Sequence, residues 1–364
     1  MDILYLITDL ELGGAERSLY FLSQYLKEEF RIEIAVLKKR GELEGKFMEL
    51  GLPLHHIGSS PFVLKNLLAR RNPKILHSFL PRANFLSRFV SGGENNYFLI
   101  NSQRAVKQRL DAGEIFYVLM EKLSARRAGL IVANSFASAE RIRTLSGLSG
   151  ERIRVIHNGI DTNLWDPSLF QDCGPGTREK KNFLIGSVGR LCAHKGYDQL
   201  LRAGALIINR NPEIPFEIWF IGDGEEKRKL RRLAGKLSLS SRVIFRGSCT
   251  DIRPFLSLMD LFVLPSHSEG LPNSVLEAMC MKKAVLLSDI PAHREIASDK
   301  VSAFFFRPGN PADLAEKIID LYRQPQTRSE IGDAARKRIL SAFSLPAMLE
   351  KYRKIYNKIL HGTS

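Results

Sequence analysis

The sequence predicts an α/β protein of two domains, each built on a parallel sheet. Its 364 residues are too many for one ordinary core and suit two domains of ~150–200 residues. Short apolar runs alternate with amphipathic helical stretches, as in sheets whose parallel strands are joined by crossover helices. A segment rich in proline, glycine and charge interrupts this alternation near the middle of the chain.

The first domain is predicted at residues 1–166. It opens with the continuous apolar run Ile3 to Ile7, which is typical of a strand buried on both faces. Gly13-Gly14 follows, and a helix then begins whose apolar residues share one side. The remaining strands are expected at 32–37, 74–77, 97–100 and 130–133, with helices between them such as 63–70 and 116–126.

A linker is predicted at residues 167–181, where Asp166-Pro167 precedes a Gly-Pro-Gly stretch and a charged run. The second domain is predicted at 182–342, and a C-terminal helix with an apolar stripe at 343–364. Strands of the second domain are expected at 183–188, 216–221, 243–245, 261–264 and 284–287. Parallel sheets bind ligands beyond the carboxyl ends of their strands, so a cleft shared by both domains is the expected site.

Composition and charge narrow the class of protein. A hydrophobic content of 44% and a charged content of 26% are those of a globular protein. The net charge of +15 favours polyanionic partners: phosphorylated small molecules, anionic lipid or nucleic acid. Nucleic acid is the least expected of these, because the Lys/Arg runs are short and scattered. An ordinary solvated surface is the alternative.

Cysteines and apolar stretches bear on the compartment. The four cysteines lie far apart with no C-x-x-C pair, which argues against both a disulfide framework and a zinc site. The apolar run at residues 3–7 is too short for a signal peptide and has no basic region before it. No stretch reaches the ~18 apolar residues that span a bilayer. A cytoplasmic location is expected, with or without peripheral association with the inner face of the membrane.

The first chemical motif is Ser187-Val188-Gly189-Arg190-Leu191-Cys192-Ala193-His194-Lys195-Gly196. A strand ends, a glycine permits close backbone approach, and Arg190 and Lys195 flank a loop that leads into a helix. A helix N-terminus with two cations is suited to a diphosphate. The spacing of a P-loop is absent, and a solvated basic loop is the alternative.

The second motif follows the apolar strand 261–264 and contains Glu269-Gly270-Leu271-Pro272-Asn273-Ser274-Val275-Leu276-Glu277. A helix is expected to begin near Asn273 or Ser274, with Glu277 in its first turn, where anions are favoured. Ser274-x-x-Glu277 also fits a capping box, so a structural role of Glu277 stays open. That alternative leaves Glu269 unexplained. A carboxylate at the tip of a buried strand is placed to bind a sugar hydroxyl.

Together the two motifs resemble the retaining glycosyltransferases of the large family 4, which have the two-domain GT-B fold, and the resemblance covers nearly the whole chain. In that family two glutamates separated by seven residues mark the donor site, as Glu269 and Glu277 are. The resemblance implies that Glu269 faces the transferred sugar and that Glu277 binds the ribose of the nucleotide. It also implies donor contacts from backbone amides of Gly270, Leu271, Asn273 and Ser274.

The same resemblance assigns further donor residues. Arg190 and Lys195 look like the diphosphate-binding pair, and with Glu269 they form the expected catalytic set. Gly13-Gly14 looks like the N-terminal glycine loop that closes on the donor from the other domain. Ser248 follows a strand whose succeeding backbone meets the nucleotide base. The GT-B fold further implies that the C-terminal helix crosses back to the first domain.

The acceptor side departs from the family pattern. Many members carry a histidine after the strand at 97–100, where this chain has Asn101-Ser102-Gln103-Arg104. Arg104 is therefore the candidate acceptor residue there, and His77 is a second candidate. A histidine at a strand end is more often a hydrogen-bonded structural residue.

The expected reaction moves a sugar from a nucleoside-diphosphate sugar, with UDP as the expected nucleotide, to a glycan or lipid-linked acceptor of surface polysaccharide or lipopolysaccharide. No cofactor and no metal are expected, since a D-x-D motif is absent and fixed cations would stabilise the leaving diphosphate. The resemblance implies front-face departure, in which the leaving phosphate takes the acceptor proton.

Other classes stay open. A sugar-nucleotide epimerase would share the architecture, and a non-catalytic polyanion-binding protein would share the charge; an oxidoreductase is disfavoured because neither glycine loop reads G-x-G-x-x-G. A stripe in 61–71, with Phe62, Leu64, Leu67 and Leu68 beside basic residues, would suit docking on an anionic membrane. Ordinary packing of that helix is the alternative.

Overall fold

The computed structural model of the protein describes residues 1–11, 13–38, 41–92, 96–103, 119–170 and 182–362. The chain divides into two compact units: Met1–Gly159 with Leu345–Ser364, and Ile160–Ser344. Most of the expected linker, residues 171–181, lies outside the described part. Its described beginning, Pro167–Phe170, is a short 3-10 helix of the second unit.

The first unit is built on a seven-stranded parallel sheet of order β3-β2-β1-β4-β5-β6-β7. β1 is central, and all five of its residues are buried, as its continuous apolar run predicts. The strands are β1 (Ile3–Ile7), β2 (Ile32–Val36), β3 (Leu54–His56), β4 (Ile75–Phe79), β5 (Phe98–Gln103), β6 (Leu130–Ala133) and β7 (Ile153–Val155).

Helices cover both faces of this sheet. One face packs against α1, α2 and α14, and the other against α3, α4, α6 and the segment that follows α5. The bounds are α1 (Gly14–Leu26), α2 (Glu44–Glu49), α3 (Pro61–Arg71), α4 (Pro81–Val90), α5 (residues 119–124), α6 (Phe136–Ser146) and α14 (Leu345–His361).

The C-terminal helix α14 belongs to the first unit, which confirms the expected return of the chain. Its apolar stripe, which includes Tyr352 and Tyr356, is buried against the core around β1 and β4. The Tyr356 hydroxyl lies 2.7 Å from Nδ1 of His77 and 3.3 Å from the hydroxyl of Tyr5. At the surface Arg353 forms an ion pair with Glu29, in the turn after α1, at 2.6 Å.

The second unit contains a six-stranded parallel sheet of order β10-β9-β8-β11-β12-β13. Its strands are β8 (Phe183–Val188), β9 (Phe216–Ile221), β10 (Val243–Gly247), β11 (Leu261–Leu264), β12 (Val285–Ser288) and β13 (Phe304–Phe306). Its helices are α7 (Tyr197–Arg210), α8 (Lys227–Lys236), α9 (Arg253–Leu258), α10 (Asn273–Cys280), α11 (Pro291–Ile296), α12 (Pro311–Arg323) and α13 (Pro325–Ala342).

Long apolar runs predict the longer strands well, whereas the shortest strands are not predicted. Every predicted strand is present, with ends that shift by no more than a few residues. The missed strands are β3, β7 and β13, each of three residues. All three lie at the edge of a sheet, and three residues are too few to show the apolar pattern of a strand, even in β13, which consists of three phenylalanines. Within the described residues no helix has the length and apolar content to cross a membrane.

We expect Tyr356→Phe to destabilise the first unit, because the change removes the hydroxyl that lies 2.7 Å from Nδ1 of the buried His77 and 3.3 Å from the Tyr5 hydroxyl. Loss of a buried hydrogen bond costs about 1–3 kcal/mol, or roughly 5- to 150-fold faster amide exchange from the open state. Hydrogen–deuterium exchange of β1 and β4 measures this. The matched control is Tyr322→Phe in the second unit, where the ring packs edge-on against Phe183. Equal exchange in both variants would contradict the structural role of the Tyr356 hydroxyl.

Candidate active site

The candidate site of the second unit lies where β8 and β11 are neighbours. β8 is the first strand of its sheet, with β9 on one side and β11 on the other. The strand order therefore reverses between β8 and β11, and loops that leave the carboxyl ends at such a point open a crevice for ligands. Lys195 follows β8 and Glu269 follows β11, so both motifs found in the sequence reach this point.

The two loops touch through their backbones. The N–H of His267 donates to the carbonyl oxygen of His194 at 2.8 Å. Gly196 adopts a left-handed φ of 63°, and a Cβ there would collide with the carbonyl oxygen of Pro265. A side chain at Gly196 would therefore force the loops apart.

A second glycine in this region lies against a buried tyrosine. Gly189 has a φ of 148°, and a Cβ there would stand only 2.8 Å from the Tyr197 hydroxyl. A side chain at this position would therefore be strained in its backbone and would displace the Tyr197 hydroxyl.

The resulting contact is an ion pair almost out of water. Nζ of Lys195 lies 2.7 Å from Oε1 of Glu269, with side-chain exposures of 12% and 9%. The hydroxyl of Ser266 donates to the same carboxylate oxygen at 2.6 Å. Burial alone would raise the pKa of Glu269, but the Lys195 ammonium and the Ser266 hydroxyl outweigh it and hold that pKa below its usual value. Glu269 is thus a carboxylate at neutral pH and can accept hydrogen bonds.

Buried polar groups after β12 hold the loop that carries Glu269 through a series of hydrogen bonds. The Ser288 hydroxyl donates to the carbonyl oxygen of Ser266 at 2.5 Å, and Nδ1 of His293 lies 2.8 Å from the carbonyl oxygen of Ser288. Because a carbonyl only accepts, Nδ1 carries the proton. Burial lowers the pKa of His293 to about 4. The ring is therefore neutral, and within the described part of the chain its Nε2 has no hydrogen-bond partner.

Arg190 is placed differently from Lys195. Its side chain is 74% exposed, and its guanidinium lies 3.2 Å from Glu225 in the loop after β9. The structure therefore brings Lys195 and Glu269 into contact and leaves Arg190 at the rim. Ser248 follows β10 and is exposed.

Helix α10 starts one residue before the predicted cap. Its first residue is Asn273 and its N-cap is Pro272, which offers no side-chain hydrogen bond. Ser274 is therefore not the cap, and the capping-box alternative is wrong. Glu277 is the fifth residue of the helix, so the expectation that it lies in the first turn is also wrong. Its side chain is buried, with 6% exposure.

The residues between Glu269 and α10 form a compact bend. Gly270 and Leu271 are buried, and Leu271 packs into the core of the second unit. Asn273 and Ser274, at the start of α10, are half-buried. The loop that carries Glu269 thus leads directly into the N-terminus of α10, where the first N–H groups of the helix are.

The remaining predicted site residues belong to the first unit. Gly13 is the N-cap of α1, Gly14 is its first residue, and the carboxylate of Glu16 folds back against Gly13. His77 is fully buried in β4 between the Tyr356 hydroxyl and the Ser102 hydroxyl, which lies 2.9 Å from Nε2. These contacts fit the structural role, a hydrogen-bonded histidine at a strand end, that the sequence analysis gave as the alternative for His77. Arg104 lies outside the described residues.

Sequence reasoning missed the supporting residues Ser266, Ser288 and His293. Ser266 stands inside the second motif, where its short polar side chain before Glu269 was the available signal. Nothing in the pattern of Ser288 and His293 links them to that loop, because the link runs through backbone carbonyls. Within the described ranges no group of three or more His, Cys, Asp or Glu side chains could hold a metal ion.

Comparison with known families fits both halves of the chain. Residues 12–164 match the family described as Glycosyltransferase Family 4, and residues 174–338 match Glycosyl transferases group 1. Together the two matches cover most of the sequence, each on one of the two sheets.

The chain belongs to the family 4 glycosyltransferases. The resemblance seen in the sequence is thereby confirmed.

Relatives of this glycosyltransferase include proteins of bacterial origin. EpsD of Bacillus subtilis is 30% identical over 60% of this chain, and the match spans about half, 52%, of that protein. The lipopolysaccharide core biosynthesis glycosyltransferase LpsE of Rhizobium meliloti is 28% identical over 94% of this chain and 95% of its own length.

Solved structures agree with the fold of the glycosyltransferase. HepE of Anabaena, in complex with UDP and in complex with UDP-glucose, superposes with a TM-score of 0.83. Each superposition covers 98% of this chain and 100% of HepE at 21% identity. The GT-B fold predicted from the sequence is confirmed.

We expect the free energy of unfolding of the second unit to fall as the pH falls from about 6.5 to about 4. His293 stays neutral in the folded state over this range while the unfolded chain binds a proton, so acid favours unfolding. A depression from 6.5 to about 4 corresponds to about 3 kcal/mol. His293→Asn, which retains a donor to Ser288, should remove most of this pH dependence.

Urea unfolding near pH 7 and near pH 4.5, followed by tryptophan fluorescence, measures the effect. Both tryptophans, Trp165 and Trp219, lie in the second unit and report on it alone. The control is His267→Asn in the loop after β11, which replaces an exposed histidine and should leave the difference in stability between the two pH values as in the wild type. Parallel curves for the wild type and His293→Asn would refute the assignment.

Proposed function

We propose that this glycosyltransferase retains the anomeric configuration and transfers a sugar from a UDP-sugar to a glycan or lipid-linked acceptor. The product would belong to a surface polysaccharide or lipopolysaccharide. The observation that carries the proposal is the nearly buried pair of Lys195 and Glu269 at the point where the strand order reverses. It combines a cation for a diphosphate with a carboxylate for a sugar, next to the start of α10.

Charge development in the reaction explains the need for Lys195. Breaking the bond between a sugar and a nucleoside diphosphate builds negative charge on the leaving phosphate and positive charge on the anomeric carbon. Once the donor is bound and Lys195 has turned from Glu269 to the diphosphate, its ammonium stabilises the first charge in a site of low dielectric, with the start of α10 nearby. Arg190 at the rim adds a second cation as it leaves Glu225.

Glu269 is proposed as a positioning carboxylate. Its pKa lies below the usual value, so it holds no proton to donate to a leaving group. It can accept hydrogen bonds from hydroxyls of the transferred sugar while Lys195 turns to the diphosphate. In front-face departure the leaving phosphate takes the acceptor proton, and no protein base is required. Glu277, with Gly270, Leu271, Asn273 and Ser274, would hold the nucleoside and phosphate.

The choice of UDP and of the pathway is supported by relatives. HepE, of the same fold, was solved with UDP and with UDP-glucose. LpsE, which matches nearly the whole chain, is a glycosyltransferase of lipopolysaccharide core biosynthesis. A panel of UDP-, GDP- and ADP-sugars, scored by protein stabilisation and then by donor hydrolysis, tests the donor. Stabilisation by GDP- or ADP-sugars alone would contradict UDP.

We expect Glu269→Gln to lower kcat about 100-fold or more while donor affinity changes little, because an amide keeps the size of the side chain but loses its charge. The control is Glu316→Gln, which removes an exposed carboxylate of α12 outside the site and should leave kcat at the wild-type value. Rates of sugar transfer or donor hydrolysis and calorimetric affinity for the UDP-sugar are the measurements. A near-normal kcat in Glu269→Gln would exclude this role.

Lys195→Ala should weaken UDP binding by about 10- to 100-fold, the loss of one charge-assisted hydrogen bond to phosphate. Calorimetric titration with UDP measures it. Lys229→Ala, which removes an exposed lysine paired with Glu226, is the control and should bind like the wild type. Fluorescence-monitored unfolding verifies that Lys195→Ala is folded under assay conditions. Unchanged UDP affinity in the folded variant would rule out Lys195 as a diphosphate-binding residue.

Two other functions are distinguished by simple outcomes. A sugar-nucleotide epimerase needs no acceptor, so an epimerised donor in an incubation without acceptor would replace the transfer proposal. A polyanion-binding protein would bind DNA in a salt-sensitive manner and show no affinity for sugar nucleotides. The Lys195–Glu269 pair favours transfer over the second, because a lysine neutralised by a carboxylate adds no net charge.

A further inference from the structure

One face of the first unit exposes large apolar side chains. α3, α4 and α5 turn residues such as Leu64 and Leu86 into the core, and their outer sides carry apolar residues as well. The exposed set comprises Phe62 at 78%, Val63 at 43%, Phe85 at 38%, Phe89 at 55%, Leu119 at 49% and Leu123 at 65% exposure. Large apolar side chains exposed together on neighbouring helices indicate a surface that binds another molecule or a membrane.

These residues share one surface because the three helices are neighbours. α3 packs against α4 in the layer that covers the sheet. Arg88 of α4 is fully buried and forms an ion pair with Glu121 of α5 at 2.7 Å. Beyond α5, the Arg127 guanidinium donates to the carbonyl oxygen of Arg88 at 3.3 Å. On α4 the rings of Phe85 and Phe89 stack with centroids 6.4 Å apart.

The charge of this surface has one sign. Within the described residues of α3, α4, α5 and the turn 125–127, every exposed charged side chain is basic. These are Lys65, Arg70, Arg71, Arg82, Lys122, Arg126 and Arg127. Their one acidic residue, Glu121, is buried and neutralises Arg88; Arg71, at the edge, faces Glu33 of β2 at 3.2 Å. The surface therefore combines exposed rings and leucines with uncompensated positive charge.

We infer that the outer surface of α3, α4 and α5 docks on a bilayer that contains anionic phospholipid. Basic side chains are attracted to the anionic headgroups, and apolar side chains of this size enter the boundary between headgroups and acyl chains. This inference rests on the proposed function in one respect: an enzyme that uses a lipid-linked acceptor must reach the membrane that holds it.

Two other occupants fit this surface less well, a second copy of the chain because of charge and nucleic acid because of the aliphatic side chains. A symmetric dimer through this face would place the same basic surface against itself. Nucleic acid would satisfy the charge and stack on the phenylalanines, but Val63, Leu119 and Leu123 would gain nothing from it. The α3 stripe of the sequence is thereby divided: Leu64 and Leu68 pack in the core, whereas Phe62 and Val63 face outwards.

Vesicle flotation with the full chain tests the inference. The wild type should float with vesicles of phosphatidylcholine and phosphatidylglycerol and remain behind with phosphatidylcholine alone. A triple variant, Lys65→Gln, Arg82→Gln and Lys122→Gln, should partition about 100-fold more weakly, since each basic residue near an anionic surface contributes roughly fivefold. The matched control, Arg232→Gln, Lys236→Gln and Arg323→Gln, removes the same charge from the second unit and should float like the wild type.

A second triple variant tests the apolar part. Phe62→Ser, Phe85→Ser and Phe89→Ser should weaken partitioning about 10-fold or more at unchanged charge. Equal loss in the charge variant and its control would overturn the inference, because net charge alone would then act. It is also overturned if the serine variant changes oligomeric state in size-exclusion chromatography instead of vesicle binding, or if the surface binds duplex DNA and not vesicles.

UDP binding separates this inference from the proposed function. Both surface variants change the first unit, outside the Lys195–Glu269 site, and should bind UDP with wild-type affinity in calorimetry. Amide exchange of β1 and β4 at the wild-type rate verifies that their first unit is folded. Vesicle binding by a chain with no affinity for UDP would leave the surface standing and remove the proposed donor. Normal UDP binding by a chain that does not float with vesicles would overturn the membrane inference and leave the proposed donor standing.

Discussion

A lysine and a glutamate held together nearly out of water organise the loops of the second unit. Desolvation of two charges offsets most of their attraction, so the pair of Lys195 and Glu269 adds little net stability. The loops are nevertheless built around it: the backbones of His194 and His267 are hydrogen-bonded, and Gly196 adopts a conformation that lets them touch. Groups that are costly to bury and are placed at a strand-order reversal are expected where charged ligands bind.

The sequence predicts this site because the relevant information is local. Apolar runs that end at Val188 and Leu264 fix where two parallel strands stop, and polar residues after each end must lie at the same edge of the sheet. The family resemblance then names Lys195 and Glu269 separately as donor-site residues, and the ion pair between them is seen only in the structure. Similar reasoning predicts the strands of both units except β3, β7 and β13, whose three residues at sheet edges carry too little pattern to be seen.

What the sequence does not predict are contacts made through the backbone or between distant elements. The support of Glu269 runs from Ser266 through carbonyl oxygens to Ser288 and His293, and a carbonyl leaves no trace in residue type. The start of α10 is a related case. Ser274-x-x-Glu277 fits a capping box, but Pro272 already has an extended backbone and takes the cap position, so the cap lies two residues earlier than a capping box at Ser274 would place it.

The location of the excess positive charge is the last point that only the structure supplies. At the candidate donor site the cations are matched: Lys195 by Glu269 and Arg190 by Glu225. A net charge of +15 therefore does not arise from the need to bind one diphosphate. Within the described residues of α3, α4 and α5 every exposed charged side chain is basic, and these residues stand among exposed phenylalanines. The polyanion that the composition implies is thus expected at that surface, as an extended anionic layer, and separately from the nucleotide.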